Sequence, residues 1–383
     1  VISDTLAADL ADMDAGALRR VLRVMASPQG PRVEVDGRQY LNFCSNDYLG
    51  LAADPEVIAA AAQGAGMWGV GAGASHLVSG HSAAHHALET ALAQHVGRER
   101  ALLFSSGYQA NIGLVTALAG RGDTVYADRL NHASLNDAAL LSRATLRRYP
   151  HGDMSALERL LAKKVDGRRI IVTDAVFSMD GDIAPLPRLL ELAEMHDAWL
   201  VIDDAHGYGV LGEHGAGCLA HFHIQSPRIA YMATLGKAAG VSGAFVAGGD
   251  TLIEWLIQRA RTYIYTTAMS PLLAHALSCS VRKVASEEWR RDHLRSLVAL
   301  LRGRLLGSAY QLMPSQTPIQ PLVVGGNQAA LDLAAGLAGQ GVMVPAIRPP
   351  TVPANTARLR ISLSAAHSVE DVGRLADALL SLA

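Results

Sequence analysis

The sequence predicts an α/β fold, a mostly parallel central sheet covered by helices, with a smaller α+β domain toward the C-terminal end. Short apolar runs alternate with longer stretches whose apolar positions recur at three and four residues, the pattern of strand followed by helix. Residues able to do chemistry cluster just after those runs, where open α/β sheets bind ligands. Beyond about Pro271 the alternation gives way to a long helical region and a few late strands. A chain of 383 residues exceeds what one hydrophobic core usually serves. The expected division is therefore 1–45, 46–275 and 276–383: an N-terminal segment, a large α/β domain and the C-terminal α+β domain.

The N-terminus carries Asp4, Asp9, Asp12 and Asp14 where a signal peptide would carry basic residues, and no uncharged apolar run reaches membrane-spanning length. Neither a signal peptide nor a membrane helix is expected. Residues 101–104, 124–127, 169–173, 199–202, 229–233 and 244–247 are the predicted strands of the large domain. Residues 134–141, 154–162, 186–196 and 252–261 have helical spacing. Late strands are expected at 318–324 and 357–362. Between them Arg348-Pro-Pro-Thr-Val-Pro353 is a stiff extended segment, because each proline fixes its own φ and restrains the residue before it.

Charges nearly balance at a formal net of −2, so the chain has neither a basic nucleic-acid footprint nor an acidic disordered tail. A small-molecule partner is expected, with no nucleic acid and no membrane. Cys44, Cys218 and Cys279 are scattered without CxxC spacing, which fits free thiols in the cytoplasm better than a disulfide framework or a zinc site.

Lys237 is the most telling residue. It lies in the small-residue run Thr234-Leu-Gly-Lys-Ala-Ala-Gly240, directly after a predicted strand. Glycine and alanine neighbours leave steric room around its nitrogen, as a lysine that forms a Schiff base requires, and burial favours the free amine. Phe104-Ser-Ser-Gly-Tyr-Gln-Ala-Asn111 runs from strand through turn into helix, which would aim free N–H groups at an anion such as phosphate; Ser-Gly before a helix is also an ordinary cap. Asp203 closes the strand at 199–202, with His206 three residues on. An aspartate there can hold a cationic ring nitrogen, bind a metal or cap the next turn.

Taken in chain order, phosphate turn, histidine, strand-end aspartate and lysine resemble the pyridoxal-phosphate (PLP) enzymes of the aminotransferase-like fold, fold type I. Five segments carry a closer likeness: Asn42-Phe-Cys-Ser-Asn-Asp-Tyr-Leu-Gly50, Asp128-Arg-Leu-Asn-His-Ala-Ser134, Phe177-Ser-Met-Asp-Gly-Asp182, Asp203-Asp-Ala-His-Gly207 and Thr234-Leu-Gly-Lys237. Over nearly its whole length the chain is similar to the α-oxoamine synthase family. The resemblance implies PLP as cofactor. It implies that Asp203 pairs with the pyridine nitrogen, His132 stacks on the ring, and Ser178 and His206 bond its phenolic oxygen. Ser106, Gly107, Tyr108 and Thr234 would surround the phosphate end, with Thr266 or Thr267 reaching across a homodimer whose interface includes 64–80.

Within the family, Ala346-Ile-Arg-Pro-Pro-Thr-Val-Pro353 leading into Thr356-Ala-Arg-Leu-Arg360 most resembles the member that joins L-alanine to a pimeloyl thioester, carried on coenzyme A or on a carrier protein. The likeness then implies Lys237 as general base, assistance from a histidine, and Arg360 on the alanine carboxylate. Asn46 would orient the incoming carbonyl. Arg19 or Arg20 would meet the distal acyl carboxylate, with Arg348 and Thr351 also on the substrate side. Sibling enzymes use glycine with acetyl-CoA or succinyl-CoA, or serine with a long acyl thioester; an aminotransferase or a PLP carrier without catalysis is more distant. Asn355, Tyr108 and Tyr208 depart from the expected pattern. Asn355 can still adopt a left-handed turn, whereas Tyr208, two residues after His206, would narrow an acyl channel.

Other classes are disfavoured. Gly69-Val-Gly-Ala-Gly73 lacks the preceding buried strand of a dinucleotide fingerprint, and no Gly-x-Ser-x-Gly elbow occurs. His81, His85 and His86, or His221 and His223, could suggest a metal, but no carboxylate completes either group at the expected spacing, so none is expected. Arg143, Arg147 and Arg148 read as solvated arginines.

Overall fold

The computed structural model of the chain describes residues 2–383. It divides into two units, each discontinuous in sequence: a smaller one of Val1–Tyr48, Met179–Asp182 and Asp292–Ala383, and a larger one of Leu49–Ser178 and Ile183–Arg291. The N-terminal segment and the C-terminal region, expected as separate domains, share the smaller unit. The expected boundary at 275/276 falls inside a helix, Pro271–Ser286, which belongs to the larger unit. The cause is steric. A Cβ at Gly64, in the helix Pro55–Trp68, would come within 3.0 Å of His275 Cβ and 3.1 Å of the Leu272 carbonyl, so the two helices meet through a residue without a side chain.

In the smaller unit a helix, Ile2–Ala15, is followed by a hairpin outside the predicted strands, β1 (Arg32–Val35) and β2 (Arg38–Asn42). Asp36 and Gly37 turn the chain with φ of 50° and 73°. Two consecutive left-handed residues match the twist of a tight hairpin, and Asp-Gly is a pair that tolerates them.

The larger unit is built on seven strands: β3 (Arg100–Phe104), β4 (Thr124–Asp128), β5 (Thr145–Tyr149), β6 (Arg169–Asp174), β7 (Ala198–Asp203), β8 (Ile229–Thr234) and β9 (Ala244–Gly248). Their order is β3-β9-β8-β7-β6-β4-β5, parallel except at β9, as the α/β expectation required. Central strands are apolar on both faces because helices cover both: Ile170, Ile171 and Val172 of β6 and Leu200, Val201 and Ile202 of β7 are all fully buried. Each such side chain contributes about 1.5–3 kcal/mol by leaving water. The edge strand β5 differs, with Arg147 and Arg148 part-exposed, and charge on an edge discourages further pairing.

The smaller unit continues with β10 (Ile319–Gly325), β11 (Val342–Met343), β12 (Ala346–Ile347) and β13 (Ala357–Ser362). β13 lies between β10 and β12, while β11 extends the N-terminal hairpin in parallel with β2. Asn355, before β13, has φ of 61°, the left-handed turn expected of it. Among the described residues, no helix is long and apolar enough to cross a membrane. Cys218 and Cys279 are buried and Cys44 half-buried, all unbridged.

Candidate active site

The topology of the larger unit brings the predicted residues to one edge. β4, β6, β7 and β8 are parallel, and β9, antiparallel to both its neighbours, leaves β3 running the same way, so five strands end on the same side. Ser106 follows β3, His132 follows β4, Ser178 follows β6, Asp203 ends β7 and Lys237 follows β8. Side chains distant in sequence therefore converge without any special loop.

Lys237 is half-buried, and its Nζ lies 2.8 Å from Nε2 of the buried His206. Its turn depends on Gly240, whose φ is 70° and where a Cβ would stand 2.5 Å from the Ala52 nitrogen. Asp203 is buried; its Oδ1 accepts the Ala205 N–H at 2.9 Å and its Oδ2 accepts the Asn111 side-chain amide at 2.7 Å. Ser106 caps the helix Gly107–Leu118, its Oγ accepting the Gln109 N–H. Gly107 and Tyr108 occupy the first helical positions, whose N–H groups have no intrahelical acceptor. Gly107 also faces Thr234, whose Oγ1 a Cβ there would meet at 4.0 Å.

His132 caps the helix Ala133–Leu141 and is exposed on one side. Desolvation by the protein behind it, with Lys237 adding, pushes its imidazolium below the ordinary histidine range against the pull of Asp203.

In the smaller unit Arg360 is buried on β13. Its guanidinium donates to Asn46 Oδ1 at 3.1 Å, Ser362 Oγ at 2.8 Å and Tyr48 Oη at 3.3 Å. Asn46 and Arg360, both expected on the substrate side, are therefore neighbours. Arg348 donates to the carbonyls of Ala17 and Arg19, tying the loop that carries Thr351 to the segment of Arg19 and Arg20. Arg19 pairs with Asp14 at 2.6 Å, whereas Arg20 is exposed and forms no ion pair among the described residues.

Some expectations change. The Tyr208 ring is buried against Phe245 and its hydroxyl meets His95 Nδ1 at 3.0 Å. Tyr108 turns outward, donating to Asp137 at 2.5 Å. Thr266 and Thr267 lie in the turn after Arg261–Ile264, beside the exposed Tyr265. A cleft of about 770 Å³ lined by His95, Arg98, His214 and His223 lies away from Lys237, His206, Asp203 and His132, none of which lines it.

Other polar residues behind the site were not singled out from sequence. Asn111 also donates to Ser134 Oγ at 2.8 Å, and Ser134 Oγ lies 2.7 Å from His132 Nδ1, so a buried chain of hydrogen bonds runs from Asp203 to His132. Asp174, level with Asp203 on the next strand, accepts the His132 N–H at 2.7 Å. Burial and the Asp203 charge hold its carboxyl well above the usual carboxylate range. It had the same signal as Asp203, an aspartate closing an apolar run.

This donor set fits pyridoxal phosphate: helix N–H groups for a phosphate, a buried carboxylate for a ring nitrogen, and an amine for an aldehyde carbon. The aminotransferase class I and II family model matches residues 38–379, and the chain is an enzyme that belongs to that family. It is similar to 8-amino-7-oxononanoate synthase from Herminiimonas arsenicoxydans, 59% identical over 99% of each chain. It is similar also to that of Nitrosospira multiformis, 62% identical over 95% of this chain and 92% of the relative. Among solved structures it resembles serine palmitoyltransferase of Sphingomonas wittichii, 31% identical with a TM-score of 0.93, covering 99% of this chain and 96% of that one. A serine palmitoyltransferase of S. paucimobilis with bound PLP-myriocin matches with the same TM-score and coverage at 28% identity. The chain thus has the fold-type I architecture, and its family and neighbours indicate that it uses PLP.

Proposed function

We propose that this enzyme joins L-alanine to a pimeloyl thioester, on coenzyme A or a carrier protein, releasing CO2 and free thiol and giving 8-amino-7-oxononanoate for biotin synthesis. The observation that carries the reading is the Lys237–His206 pair at 2.8 Å beside Asp203, in a chain 59–62% identical to synthases of that name. When bound, PLP supplies an electron sink, a protonated pyridine ring that accepts the pair left when a bond at the amino-acid Cα breaks.

Asp203 would hold the ring nitrogen, and Ser106, the Gly107 and Tyr108 N–H groups and Thr234 the phosphate. His132 would stack on the ring face, with Ser178 and His206 on its phenolic oxygen. Lys237, as the free amine, takes the proton from alanine Cα, while His206 fixes where its nitrogen points. A Cα–C bond to the acyl carbonyl then forms as the C–S bond breaks and the thiolate leaves. The carboxylate departs as CO2, and the Lys237 ammonium returns its proton to Cα. Arg360, already oriented by Asn46, Ser362 and Tyr48, would hold the alanine carboxylate. Arg20, not Arg19, would meet the distal acyl carboxylate, because Arg19 is committed to Asp14. Arg348 and Thr351 shape that end.

We place the enzyme in the cytoplasm as a homodimer. Val70, Val78 and Tyr265 are more than two-thirds exposed on the larger unit, an apolar area that a second copy would cover.

Likeness to serine palmitoyltransferase supports a sibling reading with serine and a longer acyl thioester. Mass analysis of the product from PLP-loaded enzyme, L-alanine and pimeloyl-CoA tests the proposal. The mass of 8-amino-7-oxononanoate with one thiol per product is expected; product only from serine and a long acyl thioester would move the chain to the sibling.

A further inference from the structure

Five residues of the larger unit that have no part in the proposed reaction gather within a short stretch. His76 opens the π-helical turn His76–Gly80, His81 follows it, and His85, His86 and Glu89 lie on the helix Ala83–His95. Two overlapping sets have donor atoms within 4.8 Å of one another: His76, His81 and His85, and His81, His86 and Glu89. The first is committed elsewhere. His85 Nδ1 accepts the Ser82 N–H at 3.0 Å and its Nε2 faces the Met269 carbonyl at 2.8 Å, so neither nitrogen is available.

The second set is held differently. His81 Nε2 lies 3.8 Å from Glu89 Oε2. Two ligands of a tetrahedral zinc ion stand about 3.4 Å apart, given bonds of about 2.0–2.1 Å. A small side-chain movement closes that difference. Glu89 Oε1 accepts the Leu103 N–H at 3.0 Å, which fixes the carboxylate and turns Oε2 toward His81. His76 Nδ1 stands 3.0 Å from His81 Nδ1, and His76 is itself pinned by stacking on Tyr263 at 4.8 Å. With the shared proton on His81 Nδ1, His76 accepts it and the His81 Nε2 lone pair faces Glu89. Metal-binding histidines are oriented by such a bond at the far nitrogen. His86 is exposed one helical turn before Glu89, and the His81 side chain is 30% exposed, so an ion can enter from solvent.

We infer that His81, His86 and Glu89 form a binding site for a divalent first-row transition ion, with His76 as the residue that orients His81. Two imidazole nitrogens and one carboxylate suit Zn2+ and leave a fourth position for water. The spacing hid the site: Glu89 is eight residues beyond His81, and the π-helical turn and the following helix start bring the two together.

Zn2+ titrated calorimetrically into tag-free, PLP-loaded enzyme after chelator treatment tests the assignment. One saturable site per chain is expected, weakened at least about tenfold in His81→Ala and His86→Gln. His76→Phe should weaken it about 10–100-fold by removing only the orienting bond. His221→Gln, at another surface histidine, should bind as wild type does. Because His86 is exposed, His86→Gln keeps the test valid even if His81→Ala fails to fold. No saturable uptake by the wild type, or equal uptake by wild type and His86→Gln, would overturn the site.

Discussion

Lys237 has a defined partner, His206 at 2.8 Å, and the residues beneath it form a connected polar layer. Lys237→Ala is expected to lower thiol release at least about a thousandfold, read as turnover with alanine and thioester. Asn111 links Asp203 to the Ser134–His132 pair, so Asn111→Ala removes the 2.7 Å donor from a buried carboxylate. A hydrogen bond to a charged group is worth about 2 kcal/mol, so PLP affinity should fall roughly thirtyfold. The pH dependence of the bound-cofactor spectrum should shift with it; a spectrum and affinity matching wild type would remove Asn111 from the site. Asp204 makes a separate, stability-level prediction. Fully buried between the Cys218 N–H and the Tyr231 hydroxyl, its carboxyl is pushed up to about 6 by burial, from 3.8. The folded state holds that proton more tightly than the unfolded one, so the stabilisation is present below pH 3.8 and lost as pH rises through about 6. Relative to Asp204→Asn, wild type should lose about 3 kcal/mol across that window in denaturant unfolding; parallel pH profiles would contradict the assignment.

Among the elements, the central strands were legible because burial on both faces forces continuous apolar runs: β6 and β7 lie where 169–173 and 199–202 predicted them. The edge strand β5 escaped because its arginines break that pattern. The hairpin of β1 and β2 carries its own local signal, since Asp36-Gly37 between alternating residues is a strong turn pair. No local pattern could reveal that Gly64 joins Pro55–Trp68 to Pro271–Ser286, because that contact spans two hundred residues of chain. The Lys237 cluster was partly readable for a related reason: Ser106, Asp203 and Lys237 each close a strand or follow it, whereas His132 came only from the family resemblance. Asn111, one helical turn into Gly107–Leu118, obeys no such rule. The π-helical turn supplies the test at this scale. A Cβ at Gly80 would stand 2.1 Å from the Ala74 carbonyl, so Gly80→Ala should cost at least about 1–3 kcal/mol, measured by denaturant unfolding.

For the whole molecule, the apolar residues around 70–78 and Tyr265 predict a dimer that survives dilution in light scattering, and Val78→Asp should shift it toward monomer. A wild-type monomer at micromolar concentration would remove the homodimer from the account. Sequence alone could not show the pairing of Arg19 with Asp14 or the tie of Arg348 to the Ala17 and Arg19 carbonyls, which exist only in the folded chain. The central claim is substrate choice, and it is tested most directly by thiol release from PLP-loaded enzyme given every pairing of L-alanine, glycine or L-serine with pimeloyl-CoA, acetyl-CoA or palmitoyl-CoA. The account predicts turnover confined to L-alanine with the pimeloyl thioester, at least about tenfold above every other pair. Preferred turnover of glycine with acetyl-CoA, or of serine with palmitoyl-CoA, would contradict it.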